Sequence, residues 1–553
     1  MLDVSQDPYI AEQQVRAIAF MLVAFGYIDG EFDPRERDYV TTELDQLAER
    51  RSFSAELGTR AVLRTRIAAH QRELVDEYEA TVRAHFRESV AEGESHLDFV
   101  VSKLKLGCLE LLRHFAPALK AEIVGMVEKL MHADGRVDPR EKAFFDDVVA
   151  LAQAPIELDE TEFDVLEAGA EVIEPPRPLA ARMPNHPLFG PVEVDFPRDA
   201  EGFAAAAAGE IALCDRVRAT LDTLRETGRG RLTGLATVRD LPEGERLLDG
   251  FVYAERPDPE RRYELLVLGD LHGCYSCFKA ALLQADFLEK ARMHRERPDE
   301  HPVPRLVLLG DYIDRGRFGY SGTLRLAMQL LTQFPEYVVM LRGNHEYYVE
   351  LNGRTVAPVR PCESIESLGG LDAAALVARY RELFDDLATA YLFGSTLFVH
   401  GGIPRDQTLE QRWQSLASLN DPAIRFEMLW SDPSPVDAVP RELQRASARF
   451  AFGRRQLQRF LCQTGSTLLV RGHERVLSGF EVVFDDPGAR LVTLFSSGGE
   501  HNRDLPADSN YRDVHPNAMK LTLAGGITTV SPFPIDYAAF GDGKKNRFFE
   551  PGA

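Results

Sequence analysis

The chain has 553 residues, a hydrophobic fraction of 44%, a charged fraction of 27% and a formal net charge of −23. A single hydrophobic core stops growing at roughly 250–300 residues, so two or three domains are expected, and the average composition excludes a disordered or fibrous chain. The negative charge argues against a nucleic acid or an anionic membrane surface as the main partner, because both bind clustered Lys and Arg.

The N-terminal residues contain no recognisable targeting segment. Met1–Asp7 lacks a basic stretch, and the longest early apolar run, Ala17–Ile28, is shorter than the ~20 residues that cross a bilayer. The six cysteines are scattered, unlike those of a secreted disulfide scaffold. We therefore predict a cytoplasmic protein with reduced thiols and no membrane insertion.

Residues 1–153 are acidic and carry apolar residues at helical spacing, which predicts an all-α bundle of about five to seven helices. One motif occurs twice in this range, as DGEFDPRE at Asp29–Glu36 and as DGRVDPRE at Asp134–Glu141. In each copy the second aspartate (Asp33 or Asp138) is expected to cap a helix that starts with proline, and the glutamate closes a capping box. Metal binding is an alternative, although the spacing lacks the alternating ligands of an EF-hand.

The doubled motif in an acidic bundle resembles the TerB-like domains associated with bacterial tellurite resistance and stress systems. The resemblance covers roughly the first 150 residues. It implies a bacterial source and a docking or regulatory module with an unidentified protein partner.

The middle of the chain is predicted to connect this bundle to a second domain. Residues 154–200 are rich in proline and acid, which predicts a linker. Residues 201–262 begin with a helical pattern and are interpreted as a connector that packs on the catalytic domain. The catalytic domain is predicted at 263–531, and the aromatic tail at 532–553 either packs on its surface or covers the catalytic cleft.

Five short β-prone apolar runs in the predicted catalytic domain each end at a cluster of Asp, His, Asn, Arg and Gly. The clusters are GDLHG (Gly269–Gly273), GDYIDRG (Gly310–Gly316), RGNHE (Arg342–Glu346), HGG (His400–Gly402) and RGH (Arg471–His473). Helical stretches separate the first three runs, as in βαβ units, where ligands collect beyond the carboxyl ends of the strands. Oxygen and imidazole donors without thiolates suit Mn²⁺, Fe²⁺ or Zn²⁺, and a shared carboxylate would hold two cations about 3.5–4 Å apart.

In this order the clusters resemble the phosphoprotein phosphatase (PPP) family within the calcineurin-like metallophosphoesterases. LWSDP at Leu429–Pro433, also characteristic of that family, lies between the last two clusters. The resemblance spans about Tyr263 to Leu523. It implies an α/β metallophosphoesterase domain in which two packed β-sheets are flanked by helices. Together with the N-terminal all-α bundle, this predicts a multi-domain protein.

The same resemblance implies a role for each matching residue. Asp270 and His272 would bind a first metal, and Asp311 would bridge. The second metal would be bound by Asn344, His400 and His473. The phosphate would be held by Arg315, Arg471 and Asn344, and His345 would be the general acid, oriented by Asp314. Two divalent metal ions are implied, with Mn²⁺ expected and Fe or Zn as alternatives.

The implied reaction is hydrolysis of a phosphomonoester, with a serine/threonine phosphoprotein as the expected substrate. A hydroxide activated by two metals would attack phosphorus in line, and His345 would protonate the departing alkoxide. Glu346 and Asp314 favour this substrate, because dinucleoside tetraphosphatase relatives typically end the third motif in GNHD and often vary that aspartate. A nucleotide or dinucleoside polyphosphate hydrolase remains an alternative, and so does a stress-complex scaffold with incidental hydrolysis.

The sequence departs from the family near its end. Where SAPNYC is expected, it reads FSSGGEHN at Phe495–Asn502, so the usual active-site tyrosine is missing. Tyr511 is a candidate replacement, and His501 either contacts the phosphate site or belongs to a loop. Cys274 and Cys277 form a lone C-x-x-C, interpreted as ordinary residues of a helix start or as a redox-sensitive pair.

Overall fold

The computed structural model describes most of the chain, namely residues 8–30, 32–52, 57–88, 95–113, 115, 117–132, 137–153, 170–179, 183–347, 349–351, 354–356 and 373–550. The chain divides into two compact units. The first comprises Met1–Asp159 and Ala438–Phe450, and the second comprises Glu160–Asp437 and Ala451–Ala553. Among the described residues, no helix is both long and apolar enough to span a bilayer.

The N-terminal part of the first unit is all-α, as predicted. Its described helices are α1 (Pro8–Gly26), α2 (Pro34–Ser52), α3 (Leu57–His85), α4 (His96–Arg113), α5 (Pro117–Leu130) and α6 (Pro139–Gln153). Val15, Ile18 and Leu22 recur on one face of α1 and are fully buried in the shared core. The rings of Phe25 and Phe144 meet edge to face at 5.7 Å and join α1 to α6.

The described parts of the two DGxxDPRE copies have the same capping geometry. The backbone N–H of Asp33 donates to Glu36 Oε2, and that of Asp138 donates to Glu141 Oε2, both at 3.0 Å. Each aspartate also accepts the N–H of the residue two positions on, at 2.7 Å in both copies. The expected capping therefore starts both α2 and α6. Glu31 and residues 134–136 lie outside the described residues.

Replacing Glu36 with glutamine is expected to stabilise the helical unit at high pH. Burial raises the pKa of Glu36 from 4.5 to about 8, and the carboxylates of Glu141 and Asp29 add to the rise. At a pH between 4.5 and about 8, the carboxyl of Glu36 is protonated in the folded protein and ionised in the unfolded protein. The free energy of unfolding therefore falls as the pH rises through this range. Glutamine does not ionise, and its amide oxygen still accepts the N–H of Asp33.

Calorimetric unfolding of the full chain at about pH 5 and about pH 8 tests this expectation. At the higher pH, the melting temperature of the variant should exceed that of the unchanged protein. At the lower pH, the two melting temperatures should be nearly equal. Glu128→Gln, which neutralises an exposed carboxylate of α5, is the matched control. Equal melting of Glu36→Gln and the unchanged protein at both pH values would show that Glu36 is not protonated in the folded unit.

The second unit is the predicted α/β domain. Its described helices are α7 (Ala200–Gly228), α8 (Tyr275–Gln284), α9 (Phe287–Glu296), α10 (Arg325–Gln333), α11 (Ala374–Asp386), α12 (Asp406–Arg412), α13 (Pro422–Trp430) and α15 (Arg454–Thr464). Its described strands are β1 (Ala170–Ile173), β2 (Arg246–Asp249), β3 (Val252–Glu255), β4 (Tyr263–Leu268), β5 (Val303–Leu308), β6 (Val338–Met340), β7 (Val349–Leu351), β8 (Arg354–Val356), β9 (Ala390–Phe393), β10 (Thr396–Val399), β11 (Asp432–Pro433), β12 (Ala451–Phe452), β13 (Leu468–Arg471), β14 (Phe480–Asp486), β15 (Ala489–Leu494), β16 (Asn517–Ala524) and β17 (Ile527–Pro534).

Two large sheets form the centre of this unit. Within the described residues, one has six strands in the order β1-β17-β16-β4-β5-β6, and the other has seven in the order β14-β15-β13-β10-β9-β3-β2. β4, β5 and β6 are parallel to one another, as are β10 and β13. The two short pairs β11-β12 and β7-β8 lie outside these sheets.

Side-chain alternation shows how the two sheets pack. In β9 and β10, Tyr391 and Phe398 point into the core shared with the six-stranded sheet. Their neighbours Leu392 and Leu397 belong to a second core, together with residues of α12, α13 and α15. β4 is apolar on both faces, as expected of a strand covered on both sides. The seven-stranded sheet therefore lies between the other sheet and an outer layer of helices.

Segments outside the predicted catalytic range contribute strands to both sheets. β1 lies within 154–200, the range predicted as a linker, and pairs in parallel with β17. β2 and β3 lie within 201–262, and β3 pairs with β9. β17 crosses the boundary predicted between residues 531 and 532. The division into linker, connector, catalytic domain and tail stays a prediction.

The C-terminal residues pack closely on the second unit. Phe540 is fully buried, and the ring of Phe548 stacks on Phe318 at 4.2 Å. The amide nitrogen of buried Asn546 lies 3.3 Å from Ser276 Oγ on α8, so it donates to that hydroxyl. Of the two predicted arrangements, these contacts favour packing on the domain surface.

Ala438–Phe450 belongs to the first unit although it lies inside the range predicted for the catalytic domain. Its helix α14 (Arg441–Ala446) contacts α4, and Arg449 Nη1 pairs with Glu88 Oε2 at 3.1 Å. Leu443 and Phe450 are buried. Burial opposes ionisation of Glu88, but Lys103, Arg449 and His85 nevertheless lower its pKa to about 2. The segment is thus an integral part of the helical unit.

Candidate metal centre

The candidate site lies where five strands end. The clusters GDLHG, GDYIDRG and RGNHE follow the carboxyl ends of β4, β5 and β6. The HGG cluster follows β10, and the RGH cluster begins at the last residue of β13. Contacts across the two sheets unite them, since the N–H of His473 donates to Asp270 Oδ1 at 2.8 Å. All the residues expected to bind metal are buried.

Asp311 is at the centre of this arrangement. Its Oδ2 lies 3.5 Å from His272 Nε2, and its Oδ1 lies 3.4 Å from His400 Nε2. Two groups of donor atoms form around it, one from His272, Asp311 and His345 and the other from Asp270, Asp311 and His400, each with all atoms within 4.8 Å of one another. Asp311 is common to both, as a bridging carboxylate would be.

The two remaining expected ligands lie on one side of this cluster. Asn344 Oδ1 lies 2.8 Å from His400 Nε2 and 3.1 Å from His473 Nδ1. Hydrogen bonds outside the cluster orient the imidazoles, because His272 Nδ1 bonds the carbonyl of Ile313 and His400 Nδ1 that of Leu309. In both rings Nε2 is left facing the cluster, the usual arrangement of metal-binding histidines.

The backbone at the site adopts a conformation that is costly for residues with a side chain. Among the described residues, six non-glycine residues have a positive φ between 42° and 70°. Five of them are expected site residues: His272, Asp311, Asp314, Arg315 and His473. Holding a non-glycine residue in this conformation costs of order 1–3 kcal/mol of folding free energy, and such strained residues concentrate at functional sites.

Two motif glycines allow the backbone to approach the carboxylates. A Cβ added at Gly343 would lie 2.1 Å from Asp311 Oδ1, and one added at Gly472 would lie 2.3 Å from Asp270 Oδ1. Both distances are far below van der Waals contact, so only glycine fits there.

The donor set and its electrostatics suit cations. Burial raises the pKa of Asp311 well above its ordinary value, with the carboxylates of Asp270 and Glu346 as further causes. Asp270 Oδ2 is buried with no hydrogen-bond partner among the described residues, and His272 Nε2 is 3.6 Å away. Buried carboxylates gathered in this way need positive charge nearby, and oxygen with imidazole donors suits Mn²⁺, Fe²⁺ or Zn²⁺.

His345 and Asp314 are paired as the sequence predicts. His345 Nδ1 lies 2.8 Å from Asp314 Oδ2, which leaves Nε2 facing the cluster. Burial lowers the pKa of His345 well below its ordinary value, and the neighbouring His272 and Arg315 act in the same direction. Burial also raises the pKa of Asp314 well above its ordinary value.

The two arginines expected to bind phosphate differ in their surroundings. Arg315 is exposed, at a residue with a φ of 64°. Arg471 is fully buried, and its guanidinium donates to Asp432 Oδ1 at 2.9 Å and to Glu474 Oε2 at 2.6 Å. Sequence reasoning gave no role to these two acidic partners, although Asp432 lies in the LWSDP motif.

Glu346 also has a positioning role that the sequence reasoning missed. Its buried carboxylate accepts the backbone N–H groups of Asp311, Tyr312 and Gly343 at 2.8–3.0 Å. It therefore holds the GDYIDRG and RGNHE clusters together. Its place in the RGNHE motif was the available signal, but that glutamate was interpreted only as a mark of substrate class.

The structure also places the residues in and around the segment that differs from SAPNYC. The Tyr511 ring lies 5.3 Å from that of His272, beside the cluster, which suits the candidate replacement. His501 is 82% exposed and lies 3.9 Å from Glu500, as a loop residue would. Cys274 and Cys277 are fully buried, and burial raises the pKa of Cys277 well above its ordinary value, which disfavours a reactive thiolate.

Comparison with known proteins identifies the domain that carries this site. A family model described as calcineurin-like phosphoesterase matches residues 263–476. The chain is 28% identical to the serine/threonine-protein phosphatase 4 catalytic subunit of Saccharomyces cerevisiae over 238 residues, 42% of this chain and 68% of that protein. It is 27% identical to a probable serine/threonine-protein phosphatase of Encephalitozoon cuniculi over 325 residues, 57% of this chain and 64% of that protein.

A third relative is a catalytic subunit of protein phosphatase 2A from Dictyostelium discoideum, 28% identical over 275 residues, 48% of this chain and 78% of that protein. Among solved structures, a serine/threonine phosphatase of Saccharomyces cerevisiae with similarity to human phosphatase PP5 aligns with a TM-score of 0.37 at 17% identity, covering 59% of this chain and 90% of that one.

Proposed function

We propose that this chain, whose residues 263–476 match the calcineurin-like phosphoesterase family, removes phosphate from phosphoserine or phosphothreonine in proteins, using two divalent metal ions. The observation that carries the proposal is the position of Asp311, which is shared by two groups of potential ligands. The serine/threonine phosphatases among its relatives support the substrate class.

The family resemblance assigns the residues that would hold the metals, and the closeness of their side chains around Asp311 supports that assignment. Asp270 and His272 would hold one ion, Asp311 would be shared, and the other would be held by Asn344, His400 and His473. When bound, two cations act as Lewis acids, lowering the pKa of water and neutralising charge on phosphate oxygens. Oxygen and imidazole ligands suit Mn²⁺, Fe²⁺ or Zn²⁺, and Mn²⁺ is the expected ion among these.

The protein's own groups position the substrate and move one proton. Arg315 and Arg471, with Asn344, would hold the phosphate oxygens, since a guanidinium matches two of them. His345 would release the proton on Nε2 to the serine or threonine oxygen as its bond to phosphorus breaks, giving the hydroxyl product. The hydrogen bond between Nδ1 and Asp314 keeps the ring in the orientation that this transfer needs.

The helical unit is proposed to be a TerB-like docking module for a protein partner. The support is the doubled motif and its matched caps at α2 and α6. Neither feature implies catalysis, so the unit would act through recruitment or regulation.

Hydrolysis of a phosphothreonine peptide by the metal-free protein refilled with Mn²⁺ tests the proposed function. A dinucleoside polyphosphate is assayed beside it, and the metal-free protein is the control. Peptide turnover that requires Mn²⁺ and exceeds turnover of the polyphosphate is the expected result. Polyphosphate cleavage with an inert peptide would instead establish the nucleotide hydrolase, and no metal-dependent turnover of either would reject both.

A further inference from the structure

Protein acceptors surround the guanidinium of Arg471. Nε donates to the carbonyl of Gly401, Nη1 donates to Glu474 Oε2 at 2.6 Å, and Nη2 donates to Asp432 Oδ1 at 2.9 Å and, more weakly, to the carbonyl of Ser431 at 3.5 Å. The arginine side chain is 0% exposed. A guanidinium has five N–H groups, so a phosphate that binds Arg471 through two of them must displace at least one of these partners.

The four partners are not equally replaceable. Two are backbone carbonyls, and the Asp432 side chain is only 1% exposed, so its carboxylate would stay buried after losing the compensating charge of Arg471. The Glu474 side chain is 30% exposed. It is the more exposed of the two carboxylates, which makes Glu474 the partner that a ligand displaces most readily.

The local backbone aims Glu474 back at Arg471. His473 between them has a φ of 70°, and the N–H of Glu474 donates to the carbonyl of Gly472 at 2.9 Å. This tight turn after β13 brings side chains three positions apart into contact. The carboxylate thereby presents to Nη1 the same kind of anionic oxygen that a phosphate presents.

We propose that the Glu474 carboxylate occupies the place on Arg471 that a phosphate oxygen takes, and that phosphate binding displaces it. The inference rests on the proposed function, because it needs Arg471 to bind the phosphate group. Glu474 then acts as an internal competitor that weakens binding of substrate phosphate and of the phosphate product. It is a residue that sets affinity, while the proton transfer and the metal ligands are unaffected.

The test compares the Mn²⁺-loaded full chain with Glu474→Gln. Glutamine keeps the size and one acceptor but loses the charge that competes with phosphate. The dissociation constant of inorganic phosphate, measured by titration calorimetry, should fall about two- to fivefold, the upper part of the range expected for a partly exposed ion pair. KM for a phosphothreonine peptide should fall similarly, with kcat little changed. Glu474→Ala should tighten phosphate binding at least as much.

A double-mutant cycle separates action through Arg471 from a general charge effect. In the Arg471→Ala background, Glu474→Gln should leave the phosphate dissociation constant unchanged. Glu481→Gln, which neutralises an exposed carboxylate of β14, is the matched control and should change nothing. A Glu474→Gln effect of full size without Arg471 would overturn the proposal.

Other outcomes have equally definite meanings. Unchanged or weaker phosphate binding by Glu474→Gln would overturn the inference, because a carboxylate that only holds Arg471 in place gives that result. If the peptide is hydrolysed while phosphate affinity is insensitive to Glu474, the inference fails and the proposed function stands. If no peptide is hydrolysed but Glu474→Gln still tightens phosphate binding through Arg471, the inference stands and the proposed reaction fails.

Discussion

Replacing His345 with alanine is expected to lower kcat for a phosphothreonine peptide by about 10²–10⁴-fold, the usual contribution of a general acid. The imidazole is held by its Nδ1 contact with Asp314 at 2.8 Å, and Nε2 faces the cluster of expected metal ligands. Without it, the departing alkoxide must take its proton from water. KM should change much less, because His345 has no expected role in holding the phosphate.

Metal content distinguishes this role from a ligand role. His345 Nε2 lies 3.8 Å from Asp311 Oδ2, and His345 forms one group of potential ligands with Asp311 and His272. Mass spectrometry of the refilled His345→Ala protein should show as much Mn²⁺ as in the unchanged protein. Loss of metal would instead make His345 a ligand and leave the general acid unassigned. Asp314→Asn should retain the metal and lose less activity than His345→Ala.

Replacing Asp311 with asparagine is expected to weaken metal binding by more than about 100-fold, because loss of an outer partner of a ligand alone costs about 10–100-fold. Asp311 is the only carboxylate common to the two described groups of ligands, and its two oxygens face His272 and His400. The variant keeps the size but removes the charge and one of the two oxygens, so the remaining oxygen can no longer serve both expected sites as a carboxylate does. Peptide turnover should fall with the metal.

Metal titration of the metal-free proteins gives the measurement. Asp504→Asn is the control, since Asp504 is also a fully buried carboxylate, with a pKa raised by burial to about 7, but accepts the N–H of Ser276 instead of joining the cluster. The control should bind Mn²⁺ as the unchanged protein does. Binding of two ions by Asp311→Asn with unchanged affinity would contradict the bridging role.

The arrangement of the site follows closely from its sequence motifs. Each cluster comes directly after a short apolar strand, and parallel strands end at the same edge of a sheet, so the residues of β4, β5 and β6 had to meet. That the clusters after β10 and β13 join them depends on how the second sheet packs on the first. Only the family resemblance, with its fixed motif order, predicted that step.

The short strands outside the catalytic motifs could not be predicted. β1 has four residues, Ala170–Ile173, next to a proline-rich stretch, and becomes a strand only because β17 offers it an edge far along the chain, at Ile527–Val530. The partners of Arg471 are similarly hidden, since Asp432 is 39 positions away in the chain. In both cases the determining contact is tertiary, and local composition favours another interpretation.

The chain path through the first unit limits how this protein can be dissected. Ala438–Phe450 leaves the phosphatase-like sequence, joins the helical unit and returns at β12, so no single cut separates the two units. A fragment starting near residue 160 would keep this segment but lose the helices that bury Leu443 and Phe450. Such a fragment would expose apolar surface and become prone to aggregation. Replacing residues 438–450 with a short polar loop would remove this apolar surface from the fragment.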